Sequence, residues 1–344
     1  DPVDCEGKRI QVPEKLREME ATSEMCKLVH MYYFGRVVNA GKGSPSGGIY
    51  FDFHRFTDRQ IDEMFEAVMD HFDGFYKHGF YHGESIGALR DLAKKKRRVE
   101  VGLTSEYSVG GIFVDENMYT GVPGLYAAGE AASGVFGANR VADAVTEMLV
   151  QGYKAGEIAA RHAAGQPSPE TDPASASEAV DALEKLFSNR GGIPVSEAVR
   201  RLEAISDAAL GMVRGEQSLK QGIQDYEALG QDLEQVTLVG KSTRYNRELM
   251  RALEVRNLLT CSRLAARMAL ERRESRGLHL REDCPFIDNE AWQVRQLAQL
   301  AGGRDMLTRK TPVVTRVPLR RAEKIDYERF ILEEDLGMKN MEET

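Results

Sequence analysis

Five polar side chains, Glu106, Glu130, Asn139, Arg140 and Asp143, stand in a stretch from Ser105 to Gly156 that is otherwise dense in small residues. Gly110-Gly111, Gly124, Ala127-Ala128-Gly129, Ala131-Ala132, Gly134 and Gly137-Ala138 leave the backbone bare around them. Bare backbone can turn sharply or lie against a flat ligand. A few polar groups among small residues suit a cofactor site. A glycine-rich turn that holds no ligand has the same composition, and spacing alone leaves both readings open.

The elements that would position these groups follow from the local pattern. Ile112 to Asp115 reads as a short strand, and Asp115-Glu116-Asn117 starts a turn in which short polar side chains bond their own backbone. Gly124 to Ala128 reads as a buried apolar strand with Gly129-Glu130 at its carboxyl end. Ala138 to Gly152 reads as a helix, because Val141, Val145, Met148 and Leu149 fall at helical spacing. A strand that ends in Gly-Glu and leads to a helix start is where α/β sheets hold ligands. The helix start offers N–H groups to an anion or carbonyl.

Three blocks carry a resemblance: Glu106-Tyr107-Ser108-Val109-Gly110-Gly111-Ile112, Gly124 to Glu130, and Phe136-Gly137-Ala138-Asn139-Arg140-Val141. A fourth lies downstream: Glu274-Ser275-Arg276-Gly277, His279, Arg281-Glu282-Asp283-Cys284-Pro285, Asp288 and Trp292. In order and interval they resemble the flavoprotein subunit of succinate dehydrogenase and fumarate reductase, with L-aspartate oxidase as a close relative. The resemblance implies an FAD-dependent oxidoreductase that moves a hydride between flavin and a dicarboxylate-like substrate. It implies that Glu130 accepts hydrogen bonds from FAD hydroxyls. It places the backbone of Ala144 and Val145 against the flavin ring, and Arg140 on a substrate carboxylate, which a planar guanidinium suits. An iron–sulfur subunit is the implied electron partner. The implied location is cytoplasmic, at the inner face of the membrane through a partner.

Three departures from the family pattern bear on the substrate. Glu106 stands where the family has a substrate-binding His, and Phe136 replaces a second His. The block from Arg140 to Gly152 is one residue shorter than usual, which puts Asp143 in an Asn slot. An ionised Glu106 would repel a dicarboxylate, by roughly 1–4 kcal/mol at about 4 Å depending on the local dielectric. A substrate with a cationic group would pair with it, or burial would keep it protonated. The same departures also suit a non-catalytic structural or interaction subunit with a decayed flavin site. An aspartate-oxidase-like enzyme is the alternative within the class. No catalytic residue is assigned, because the family's proton-delivering Arg motif has no match before Ala21.

Bulk properties narrow the classes. The chain has 344 residues, is 42% hydrophobic and 29% charged, and has a net charge of -8. That charge does not favour nucleic acid or anionic membrane. The four cysteines are scattered with no C-x-x-C pair, which argues against an iron–sulfur or zinc cage in the chain itself. His71, His78 and His82 are close in sequence, but their spacing does not put all three on one helical face, so no metal is assigned. No G-x-G-x-x-G follows a strand, so the chain resembles the carboxyl-terminal portion of a longer flavoprotein. The missing N-terminal half then counts among its partners, beside a small carboxylic acid substrate.

The expected fold is mixed, α+β or α/β. Residues 1–98 read as the end of a substrate-capping domain and 99–165 as the carboxyl-terminal part of an FAD-binding domain. Residues 166–177 read as a polar linker, 178–300 as a helical bundle, and 301–344 as a tail. Within the first part, Ala21 to Val38 reads as a helix and Gly41 to Gly48 as a connector. Ile49 to Asp52 reads as a strand, Asp58 to Gly74 as a second helix, and Lys94 to Arg98 as a solvated turn between domains. In the bundle, Val195, Val199, Leu202, Ile205, Ala209 and Met212 keep helical spacing after Pro194. Leu249, Leu253, Leu258, Ala265 and Ala269 line another helix. The charged cluster at Glu274 to Asp283 is expected to lock the bundle onto the FAD domain through buried ion pairs. A tail strand is expected at Thr311 to Val317.

Overall fold

A computed structural model describes residues 1–13, 24–71, 83–102, 107–133, 144–168, 170, 172–301, 305–312 and 324–328. The chain divides into two units, Asp1–Ser105 and Glu106–Thr344.

In the first unit, helix α1 (Glu24–Val37) runs into a single π-type turn, Val38–Lys42, which Gly41 breaks with φ 72. The connector that follows is closed by Ser44, whose hydroxyl accepts from the Gly48 N–H at 2.8 Å. A Cβ at Gly48 would sit 2.1 Å from the Val101 carbonyl oxygen, so only glycine fits beside the neighbouring strand. Strands β1 (Pro2–Val3), β2 (Ile49–Asp52) and β3 (Arg98–Val101) form one antiparallel sheet in that order, with Ile49 opposite Val101 and Pro2 opposite Phe51. Helices α2 (Asp58–His71) and α3 (Gly83–Lys96) share a core with the sheet, in which Ile61, Ala93 and Val99 are buried.

The basic run Lys94 to Arg98 is not a solvated turn. It spans the last turn of α3, a bend at Arg97 with φ 58, and the first residue of β3. Arg97 pairs with Asp58 and donates to the Phe56 carbonyl at 2.9 Å. Arg98 donates to the Asp4 carbonyl at 2.7 Å and lies over the Tyr50 ring. The run looked free because its partners are distant in sequence. Of the three histidines, His78 and His82 lie outside the described residues.

The second unit contains α4 (Ala144–Ala164), α5 (Pro173–Ser188), α6 (Val195–Leu210), α7 (Glu216–Leu233) and α8 (Arg247–Glu271). Helix α5 begins inside the stretch expected as linker. Asp172 caps it by accepting from Ala174 and Ser175 N–H groups, and Pro173 suits the first helical position. Helices α6, α7 and α8 pack against one another. Their core holds Leu202, Leu219, Tyr226, Leu229, Val255 and Leu259. Of the expected stripe on α8, Leu249 and Leu253 pack against this core and Ala269 is buried, whereas at two positions the next residue takes the core place: Leu258 is 47% exposed with Leu259 buried, and Ala265 is exposed with Ala266 buried. Gly222 lets α7 approach α6, since a Cβ there would stand 2.3 Å from the Ala209 Cβ.

After α8 come β4 (Phe286–Ile287), a short turn of helix α9 (Asn289–Trp292), β5 (Val294–Ala301), β6 (Asp305–Pro312) and β7 (Ile325–Asp326). β5 and β6 form an antiparallel hairpin, with Val294 opposite Pro312. The first two residues of the expected tail strand, Thr311 and Pro312, are in β6, which begins earlier at Asp305, and its residues 313–317 lie outside the described residues. β5 falls inside the stretch 178–300 expected as a helical bundle; its pairing with β6 makes it a strand.

The charged cluster after α8 closes the end of the bundle. Glu274 is fully buried and accepts from Arg272 at 2.6 Å, Arg276 at 2.8 and 3.0 Å, and the Asp288 N–H at 2.9 Å. Arg281, also buried, grips Asp283 through two bonds of 2.8 and 2.6 Å. Its remaining nitrogen donates at 2.6 Å to the Ala269 carbonyl, one of the unpaired acceptors at the end of α8. His279 stands between Arg214 (Nη1 to Nδ1, 3.2 Å) and the Arg272 carbonyl (Nε2, 3.1 Å). A guanidinium only donates, so Nδ1 accepts and Nε2 carries the proton. Burial, reinforced by the Arg214 charge, pushes this imidazole down to about 3. The ion pairs are buried as expected, but their described partners lie in the bundle and its closing loop rather than in residues 107–165. The end of a long helix supplies the carbonyls that such cations need.

Two outcomes follow from this packing. Gly222→Leu should cost about 3 kcal/mol by overpacking the α6–α7 contact, read as a lowered urea midpoint. His279 is neutral when folded, but it takes up a proton near pH 6.5 when unfolded. Falling pH therefore favours the unfolded chain between those two values, by up to about 1.4 kcal/mol per pH unit. His279→Gln can keep both hydrogen bonds and should flatten that loss; equal slopes for both proteins between pH 6.5 and 5 would refute it.

Candidate functional site

The glycine-rich stretch is built from turns and single bridges. Ile112 makes one parallel bridge to Ala132, and Tyr119 makes one antiparallel bridge to Tyr126. The expected strands at Ile112–Asp115 and Gly124–Ala128 are therefore each reduced to one paired residue. Nor is the second buried throughout: Leu125 is 47% exposed while Ala127 is buried. A strand needs a partner along its length, and these segments meet one for only a residue each among the described residues. The expected turn is present. The Asp115 carboxylate accepts from the N–H groups of Asn117 at 2.8 Å and Tyr119 at 3.0 Å.

Residues Gly129–Ala131 form one turn of 3-10 helix. Gly129 holds φ 68, and a Cβ there would meet the Met148 side chain at 3.1 Å. Gly111 holds φ 148, and its Cβ would lie 2.5 Å from the Ala131 carbonyl oxygen. Side chains are thus excluded where the two loops cross. At Gly110, with φ 123, a Cβ would meet nothing within 4 Å among the described residues.

Glu130 projects from this turn and is exposed. Its Oε1 accepts from the Ser108 N–H at 2.7 Å. The turn is braced from behind by α4. Gly129 N–H donates to Gln151 Oε1 at 2.8 Å, Gln151 Nε2 donates to Glu147 Oε1 at 3.0 Å, and Tyr107 hydroxyl donates to Glu147 Oε2 at 3.1 Å. Both Glu147 and Gln151 are buried.

Of the expected site residues, Glu130 lies on the crossing of the two loops and Ala144 and Val145 open α4. Ala144 is buried and Val145 is 63% exposed. Glu106 and Arg140, with Asn139, Asp143 and Phe136, lie outside the described residues. Tyr107, Glu147 and Gln151 were not anticipated. The signal for them was a Glu and a Gln four apart on a helix, which share a face. The apolar positions Val145 and Leu149 drew attention to the opposite face, and the structure leaves both exposed, while Met148 lies toward the Gly129 turn.

The site fits a large flat cofactor with hydroxyl groups. It offers an exposed carboxylate fixed by a main-chain donor, bare backbone at Gly110, and the buried Ser133 hydroxyl, which has no hydrogen-bond partner among the described residues. The hollow on the bundle lined by Val195, Ser196, Val199, Glu248 and Arg251 converges no comparable set of groups for chemistry.

Residues 14–144 match the family description FAD binding domain, and residues 199–325 match Fumarate reductase flavoprotein C-term. The chain is 31% identical over 300 residues to the fumarate reductase flavoprotein subunit of Mycobacterium tuberculosis, covering 84% of this chain and 48% of the relative. It is 30% identical over 258 residues to the fumarate reductase flavoprotein subunit of Escherichia coli, covering 74% of this chain and 40% of that protein. The chain thus spans about half the length of the curated relatives it matches. A solved structure described as Mycobacterium smegmatis Sdh1 in complex with UQ1 superposes with a TM-score of 0.74 at 26% identity, over 99% of this chain and 53% of that one. The chain accordingly belongs to the succinate dehydrogenase and fumarate reductase flavoprotein family, whose cofactor is FAD.

Proposed function

We propose that the chain forms the carboxyl-terminal part of an FAD-dependent oxidoreductase that acts on a small carboxylic acid. The observation that carries this reading is the Glu130 carboxylate, held at 2.7 Å by the Ser108 N–H on a turn where side chains are excluded. In this reading Glu130 accepts hydrogen bonds from FAD hydroxyls. The backbone of Ala144 and Val145 lies against the ring, and Arg140 forks onto a substrate carboxylate. FAD, when bound, supplies a hydride acceptor or donor. The protein's part is to bind, orient and screen the substrate from water.

Glu106 sets the substrate preference. An ionised carboxylate there disfavours a plain dicarboxylate and favours a substrate that carries a cationic group. A polypeptide equivalent to the other half of the relatives completes the FAD domain, and electrons leave to an iron–sulfur protein partner. Among the described residues no helix is long and apolar enough to cross a membrane. In this reading, contact with a membrane, at its cytoplasmic face, is made through a partner.

Two substitutions in the protein expressed from its full gene test the reading. The wild type should show flavin absorbance bands that bleach with a reductant, and Glu130→Ala should lose most of the bound FAD. Retention of wild-type FAD content would remove Glu130 from the site. Glu106→His should raise fumarate turnover about tenfold, which corresponds to about 1.4 kcal/mol. An unchanged or lower rate would sink the substrate assignment.

A further inference from the structure

The two loops of the site are tied twice. One tie is direct, from the Ser108 N–H to Glu130 at 2.7 Å. The other runs behind it through α4, in the order Tyr107 hydroxyl, Glu147, Gln151 and Gly129 N–H, with successive bonds of 3.1, 3.0 and 2.8 Å. Tyr107 precedes Ser108, and Gly129 precedes Glu130. The two ties therefore close a ring around the point where the Glu130 carboxylate leaves the backbone.

The ring has a fixed chemical direction. A tyrosine hydroxyl and an amide N–H donate into its ends, so one charged acceptor and one amide must lie between them. Glu147 offers two acceptors, and Gln151 donates to one of them while accepting from Gly129. Both side chains are buried, where an unmade hydrogen bond is costly. Glu130 is exposed, and among the described residues its carboxylate is held by the Ser108 N–H. The register of α4 therefore sets where that carboxylate stands.

We propose that Glu147 and Gln151 are positioning residues for FAD, acting through the Gly129-Glu130 turn. This inference rests on the flavin reading of the Glu130 site. Neither residue touches the cofactor in this account. They hold the turn at one height against Tyr107-Ser108, so that Glu130 meets the cofactor hydroxyls without first being ordered.

An exchange of the two side chains separates a hydrogen-bond ladder from simple packing. Gln151→Glu alone sets two carboxylates against each other with no donor between them. The double substitution Glu147→Gln/Gln151→Glu restores every rung in reversed order: the amide at 147 accepts from Tyr107 and donates to the carboxylate at 151, which accepts from Gly129. Volume and net charge match the wild type in the double variant. FAD affinity is measured by fluorescence titration of the protein expressed from its full gene.

Gln151→Glu should raise the FAD dissociation constant about tenfold, the order of one buried hydrogen bond. The double variant should return to within about threefold of wild type. Wild-type affinity in the single variant overturns the proposal, and so does a double variant no better than the single. Amide exchange at Gly129, followed without flavin, reads the ladder independently. It should accelerate in Gln151→Leu and recover in the double variant; no change in Gln151→Leu overturns the ladder. A wild type that takes up no flavin while this exchange pattern holds would instead defeat the reading of Glu130.

Discussion

Ser108 and Glu130 are 22 residues apart in sequence, and a hydrogen bond of 2.7 Å holds them together. The chain between them makes turns and isolated bridges, and beside this bond its ends are held by the Ile112–Ala132 bridge and by the chain of bonds from Tyr107 to Gly129 through α4. A carboxylate that accepts from a main-chain N–H makes a stronger bond than a neutral pair. Loop closure over that length also costs entropy. The glycines at the crossing let the two segments of the loop approach closely enough for the bond to form. With a side chain at Gly111, the Ala131 carbonyl would have to move. The site thus depends on absences at two positions as much as on the group at a third.

The second unit treats charge in the opposite manner elsewhere. Glu130 meets solvent, whereas Glu274 is wholly buried between two guanidinium groups and a main-chain N–H. A buried carboxylate is tolerated only when its acceptors are filled. Arg281 does the reciprocal work at the end of α8 by filling a helix carbonyl and Asp283 together. The downstream block that most resembled the family is accordingly a piece of packing. It fixes the close of the bundle, and none of its members needs to touch a substrate to be indispensable.

Much of the helical framework was legible from residue pattern. Pro194 and the spacing from Val195 marked α6, and Ile49 to Asp52 was recognisable as β2 after its glycine connector. Glu130 and its turn were visible because glycines and alanines isolate one acid. Strands were harder, since a strand is defined by its partner. Ile112 and Tyr126 have apolar neighbours but pair at one residue each, and β5 is a strand only through its pairing with β6. The cationic run at Lys94 to Arg98 was misread for a related reason: its acceptors, Asp58 and the carbonyls of Phe56 and Asp4, come from remote parts of the chain. Glu147 and Gln151 escaped notice because a polar pair on a helix ordinarily faces water.

Helix α4 has its faces reversed. Glu147 and Gln151 are turned inward, while Val145, Leu149 and Tyr153 are 63%, 69% and 77% exposed. Covering apolar surface gains about 25 cal/mol per Å². Any body that settles on that outer stripe collects this gain on the far side of the helix from the ladder. Adhesion and cofactor geometry are therefore mechanically separate in α4: the outer side chains can drift to suit a new neighbour while the inner pair keeps its alignment.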